Sequence, residues 1–166
     1  MANETKRLSA AGWTALRTRE HAVLHYYNDV ANNCTYGIGT LAHHGPCTDE
    51  ELQRPVSAAD VNAQLAVGVS RAEAAVRRQV HDHELSQDEF DSLVSFTYNM
   101  GATGAHAVLH AANGGDSTDV ANRMGRNVYV YPRDANGRRL PAQRVPGLVN
   151  RRREEAAPFR NTQAGQ

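Results

Sequence analysis

Glu20 and Asp29 are the residues near the N-terminus whose types and spacing could do chemistry, with Thr35 a short step beyond them. Two carboxyl groups flanking a glycosidic bond can cleave it, one donating a proton and the other assisting water or attacking directly. Glu20 falls where a first helix gives way to a β-rich segment, and apolar neighbours such as Leu24 would favour its protonated form by shielding it from water. Spacing alone leaves the alternative open, because a Glu and an Asp this far apart also describe ordinary surface carboxylates.

The elements that must position these residues are legible from period and punctuation. Ser9 reads as the N-cap of a helix that carries Trp13 and Leu16 on one face and reaches about Arg19. His25–Val30 and Cys34–Ile38 are short aromatic or β-branched runs around Asn32-Asn33, the pattern of a β-hairpin. Asp29 would lie on the first strand and Thr35 on the second. Side chains alternate along a strand, so the two share a face only if the hairpin loop has an odd number of residues. A loop of three or five residues, or a bulge, is therefore expected if they cooperate. Gly37, Gly39, Gly45 and Pro46 extend an irregular region to about Pro55.

A long helix follows. Ser57 with Asp60 resembles a capping box, and Val61, Leu65, Val69, Ala72, Val76 and Val80 make an apolar stripe at spacings of three and four. Ser86-Gln87-Asp88-Glu89 is a capping box in its usual form, opening a helix with Phe90, Leu93, Val94 and Tyr98 that stops at Gly101. Shorter helices fit Gly104–Ala112 and Ser117–Met124. The stretch Asn127–Val145 reads as a loop, and a last helix begins at Pro146. The layout is α+β: a β-rich lobe at about 20–56, a linking helix at about 57–82 and a helical lobe at about 83–160, with a cleft expected between lobes.

Composition bounds the class. The 166 residues, 40% hydrophobic and 22% charged, suit one soluble globular domain. No apolar run is long enough to span a membrane, and Met1–Ala10 leads into no apolar stretch of the kind a secretory signal needs. Net charge is zero, yet residues 1–120 carry 8 basic and 15 acidic residues while 121–166 carry 10 and 3. The basic C-terminal part, with Arg151–Arg153 on the last helix, suggests contact with an anionic cell surface. A nucleic-acid module is disfavoured, because few stacking aromatics beyond Tyr129 and Tyr131 accompany the arginines.

Cys34 and Cys47 could close one loop worth roughly 2–3 kcal/mol or remain as thiols. A structural zinc on Cys34, His43, His44 and Cys47 lacks the short Cys-x2–4-Cys knuckle. His21/His25 and His106/His110 have ligand spacing, but neither is His-Glu-x-x-His. No cofactor and no metal are expected.

Taken together, Glu20-x8-Asp29-x5-Thr35 followed by x-Gly37-Ile38-Gly39 resembles the phage-type lysozymes, the endolysins of glycoside hydrolase family 24. Leu24 and Tyr27 match a Leu-x-x-Tyr between the two acids. Phe90–Gly101 is similar to the family's core helix ending in an aromatic, Asn and Gly, and Pro146–Glu155 with Phe159 to its closing helix. The resemblance covers roughly residues 9–160.

It implies a mainly helical lysozyme-like fold and hydrolysis of the β-1,4 bond between N-acetylmuramic acid and N-acetylglucosamine in peptidoglycan. Glu20 would be the general acid, Asp29 and Thr35 would position and activate water with inversion, and Leu41 would line the saccharide cleft. Thr40 departs from the family, where many members carry His, and His43 or His44 could substitute. The resemblance further implies a monomer that waits in the host bacterial cytoplasm for a holin-type lesion before reaching the periplasmic wall, with no separate wall-binding module. A wall-binding protein without turnover is the alternative, as is a lytic transglycosylase.

Overall fold

A computed structural model describes residues 1–161; the polar residues 162–166 lie outside the described residues. Two compact units divide the chain, one formed by Ser9–Arg71 and the other by Met1–Leu8 with the chain from Ala72 onward.

In the first unit, α1 (Ala10–Arg19) starts where expected, with the Ser9 hydroxyl accepting the Gly12 N–H at 3.0 Å. Leu16 is buried on its inner face. The helix closes in a Schellman turn: the Ala22 N–H reaches the Arg17 carbonyl and the His21 N–H reaches the Thr18 carbonyl. His21 occupies the left-handed position of that turn at φ 53°, where glycine is usual.

Three antiparallel strands follow in the order β1 (Val23–Asn28), β2 (Cys34–Gly37), β3 (Thr40–His43). The first two are the expected hairpin. The third lies in the segment read as irregular, because Gly37 (φ 63°) and Gly39 (φ 92°) form a turn that lays Thr-Leu-Ala-His back along β2. Without a β-branched run, that tetrapeptide carries no strand signal of its own. A five-residue helix, α2 (Asp49–Gln53), was likewise not foreseen. It is too short to show a period and is held by a capping box between Thr48 and Glu51.

The long helix α3 (Ala58–Gln79) begins with reciprocal bonds between Ser57 and Asp60, so Asp does serve in place of Glu. Val61, Leu65, Val69, Ala72 and Val76 are buried along it, and Val80 just beyond its end.

In the second unit, buried Asn3 ties the N-terminal segment down: its amide donates to the carbonyls of Val80 and His83 and accepts the Leu85 N–H. Ser86 and Glu89 form the expected capping box of α4 (Gln87–Gly104). The stop expected at Gly101 is a kink, with non-helical angles (φ 75°, ψ 162°) before the chain resumes its helical course to Gly104. Next come α5 (His106–Asn113), α6 (Ser117–Arg126, capped by the Asp116 carboxylate) and α7 (Pro146–Asn161). A short ribbon of β4 (Tyr129–Val130) and β5 (Gln143–Arg144) interrupts the segment read as a loop. Two-residue strands are too brief for alternation to show.

The inner face of α7 is ionic as well as apolar. Arg152 and Glu155 are 1% and 0% exposed, and Ala156 and Phe159 are buried beside them in sequence. Glu155 accepts hydrogen bonds from Arg151, Arg152 and the Ser95 hydroxyl. Arg152 donates further to the Asn127 carbonyl and the Asn99 side chain, and stacks on Phe96 at 4.8 Å. Burial lowers the pKa of Arg152 and the Glu155 carboxylate opposes that effect. Among the described residues no helix is long and apolar enough to cross a membrane.

Candidate active site

The first unit holds all four residues singled out in the sequence. Glu20 is the C-cap of α1; its own N–H closes the helix on the Leu16 carbonyl at 2.8 Å. The Schellman turn at His21 therefore fixes where the Glu20 backbone leaves the helix. Leu24, the apolar neighbour expected to shield Glu20, is 50% exposed on β1.

Asp29 is not on a strand. β1 ends at Asn28, and Asp29 opens the connection Asp29–Asn33 between the paired residues Asn28 and Cys34. That connection has five residues, an odd number, as cooperation of Asp29 with Thr35 requires. Asn32 occupies the left-handed region (φ 60°), a conformation Asn tolerates better than most side chains.

The loop is built around the Asp29 carboxylate. Its Oδ1 accepts the backbone N–H groups of Ala31 and Asn33, each at 2.9 Å, and its Oδ2 accepts the Thr35 hydroxyl at 3.3 Å. The Asn33 N–H, with lesser help from Ala31 and Thr35, holds the carboxyl below the usual carboxylate range. Thr35 is only 3% exposed on β2, and its single hydroxyl proton also has the Asn33 carbonyl within reach at 3.1 Å.

Across the sheet, Tyr27, Thr35 and Leu41 are successive Cα partners, so they lie in one row. Leu41 is 46% exposed and open to a ligand. The neighbouring row, Tyr26 and Tyr36, turns to the opposite face, where the two rings lie 5.1 Å apart beside a pocket of about 510 Å³. Gln64 lines that pocket and braces the sheet from behind, its Oε1 accepting the Ile38 N–H at 3.1 Å.

Behind the catalytic candidates, Cys34 and Cys47 form a disulfide, which resolves the choice between bond and thiols. Both sulfurs are thereby removed from any zinc site of the kind weighed above. The Cys34 sulfur, His43 and Glu51 do cluster, but with Cys34 oxidised the interaction that operates is an ion pair. His43 Nδ1 faces the His44 carbonyl and Nε2 faces both Glu51 oxygens, all at 3.0 Å. Two acceptors favour the doubly protonated ring. The His44 carbonyl and Glu51 raise the pKa of His43, and His43 with the Thr48 N–H lowers that of Glu51.

The sequence reading missed the Asn33 and Ala31 amides and the Gln64 brace. An Asp followed by a turn containing Asn-Asn was the available signal for the first, since Asp side chains bond backbone two residues on. The second arises from residues distant in sequence and left no local signal. Of the histidine pairs, His21 and His25 do not share a helix: one sits in the turn after α1 and the other on β1.

A mainly helical α+β chain whose small antiparallel sheet holds an ionised aspartate against a threonine has the architecture of the lysozymes. The same fold recurs in solved structures. An endolysin from the Escherichia coli O157:H7 phage FAHEc1 is 28% identical, with 95% of this chain and 96% of that one covered and a TM-score of 0.69. The muramidase domain of SpmX from Asticcacaulis excentricus is 26% identical over 92% of this chain and 97% of its own, with a TM-score of 0.66. A lysozyme variant of phage P22, 21% identical, shares the fold over 93% and 99% of the two chains at a TM-score of 0.64. The family model described as phage lysozyme matches residues 17–155, and the chain belongs to that family. It is thus a glycosidase of the lysozyme class, and peptidoglycan is its substrate. No curated protein matches it significantly.

Proposed function

We propose that this chain is an endolysin that hydrolyses the β-1,4 bond between N-acetylmuramic acid and N-acetylglucosamine, using Glu20, Asp29 and Thr35. The observation that carries this reading is the Asp29 carboxylate, kept ionised by two backbone amides and bonded to Thr35. Glu20 donates its proton to the leaving glycosidic oxygen as the bond to the anomeric carbon breaks. Water, oriented by Asp29 and the Thr35 hydroxyl, attacks that carbon from the opposite sugar face and gives up a proton on the Asp29 side. Solvent then reprotonates Glu20. The low pKa of Asp29 makes it a weak base, so its main contribution is charge opposite the developing oxocarbenium ion. Leu41 packs against the saccharide from the same row of the sheet as Thr35.

The chain acts as a monomer in this reading, within one lysozyme-like domain, and gains the periplasmic wall after a separate holin-type protein opens the inner membrane. Purified protein is expected to clear peptidoglycan suspensions. Glu20→Gln is expected to lose about 10²–10⁴-fold in rate, the usual contribution of a general acid. NMR of the first product should show inversion at the anomeric carbon. Full clearing by Glu20→Gln would overturn the acid assignment, and an anhydro-muramic end would reveal a transglycosylase instead.

A further inference from the structure

The basic C-terminal part called for an anionic partner, and the last helix was the expected place for it. The structure moves most of the available charge elsewhere and leaves only Arg153 and Arg160 exposed on the last helix. Arg151 and Arg152 are buried and turned onto Glu155. The ribbon around β4 and β5, in contrast, carries Arg133, Arg138, Arg139 and Arg144, all exposed. Asp134 is its only acid, and that carboxylate accepts the Asn136 and Arg138 N–H groups within the tip of the ribbon. Tyr129, Val130, Tyr131 and Leu140 lie among these arginines, each at least 40% exposed. They make up four of the ten exposed large hydrophobics among the described residues.

We infer that the Tyr129–Arg144 ribbon docks on an anionic phospholipid surface. Aromatic and aliphatic side chains interleaved with arginines suit the membrane interface, where rings sit at headgroup level and long cationic side chains reach the phosphates. Charge complementarity identifies the lipid sign, because the ribbon has four cations against one anion in a chain of zero net charge. Single-stranded nucleic acid fits less well. The Arg139 guanidinium sits 3.9 Å from the Tyr131 ring centroid and covers a face on which a base would stack. Val130 and Leu140 offer no stacking surface at all. The ribbon would hold the protein at a membrane bordering the wall it degrades.

The test is co-sedimentation of the full chain with phosphatidylcholine vesicles, with and without phosphatidylglycerol, at low and high salt. Binding is expected only with phosphatidylglycerol and should weaken with salt. The triple variant Arg138→Gln/Arg139→Gln/Arg144→Gln should lose more than about tenfold in partitioning, since each arginine near such a surface contributes about fivefold. Tyr131→Ser should also weaken it, whereas Arg153→Gln/Arg160→Gln on α7 should not. All these variants should keep wild-type hydrolysis of isolated peptidoglycan, and Glu20→Gln should keep vesicle binding, so the two readings fail separately. Equal binding to both vesicle types would overturn the inference, as would full binding by the triple variant. Ribbon-dependent capture of a single-stranded oligonucleotide without vesicle binding would replace the lipid by nucleic acid.

Discussion

The Thr35 hydroxyl reaches Asp29 Oδ2 at 3.3 Å across the five-residue hairpin loop, while the other carboxylate oxygen is filled by two backbone amides. Of these donors the amide of Asn33 lowers the Asp29 pKa most and Thr35 least. Thr35→Val, which keeps the shape and removes the hydroxyl, should therefore leave the acid limb of the activity profile nearly in place, moved slightly upward. Turnover should nevertheless fall by tenfold or more, on the order of one lost preorganised hydrogen bond, and Thr35→Ser should restore it. An unchanged rate in Thr35→Val would remove Thr35 from the mechanism.

The Cys34–Cys47 disulfide closes a loop of 13 residues in separation around the sheet. In the chain-entropy model a loop near this length contributes roughly 3 kcal/mol. Reduction, or Cys34→Ser/Cys47→Ser, should lower the melting temperature by about 5–10 °C for a chain of this size. Calorimetry with and without a phosphine reductant measures it; no shift would show that the native strain cancels the entropic gain.

His43 and Glu51 should make stability depend on pH. The His43 pKa is raised above its ordinary 6.5, so its contribution is complete below that value and is lost as pH rises through the folded pKa. The Glu51 pKa is lowered below 4.5, so its contribution is complete above that value and is lost as pH falls through the folded pKa. Both act together between about pH 4.5 and 6.5. Comparing melting temperatures of wild type and His43→Gln should show the largest gap in that window and a narrower one at pH 8. A gap independent of pH would mean that the ion pair is not its cause.

Gly37→Ala should be costly for two reasons. Gly37 has φ 63°, and a Cβ there would stand 2.0 Å from Gln64 Oε1. Either the Gln64 side chain leaves the Ile38 N–H or the β2–β3 turn shifts. A loss of about 1–3 kcal/mol in denaturant unfolding is expected. Pairing it with Gln64→Ala should recover part of the loss, and full additivity would argue against the clash.

The sequence by itself determined the starts of α1, α3, α4 and α7, and it tied an odd hairpin loop to cooperation between Asp29 and Thr35. Ser9, Ser57 with Asp60, Ser86 with Glu89, and Pro146 act on backbone groups within three residues, so their effect is readable from adjacent letters. Glu20, Asp29 and Thr35 stood out only through a pattern extending along the whole chain, because their spacing alone is common. Tertiary structure decided the rest. It formed β3 from a tetrapeptide with no strand signal, joined Cys34 to Cys47, and set Asp29 at the mouth of the loop instead of on a strand. It also turned Arg151 and Arg152 inward onto Glu155, so that α7 keeps only Arg153 and Arg160 exposed while the Tyr129–Arg144 ribbon exposes four arginines. A run of like charges on a helix reads the same in sequence whether it faces water or a buried partner, and Ser95, 60 residues away from Glu155, is where that difference was made.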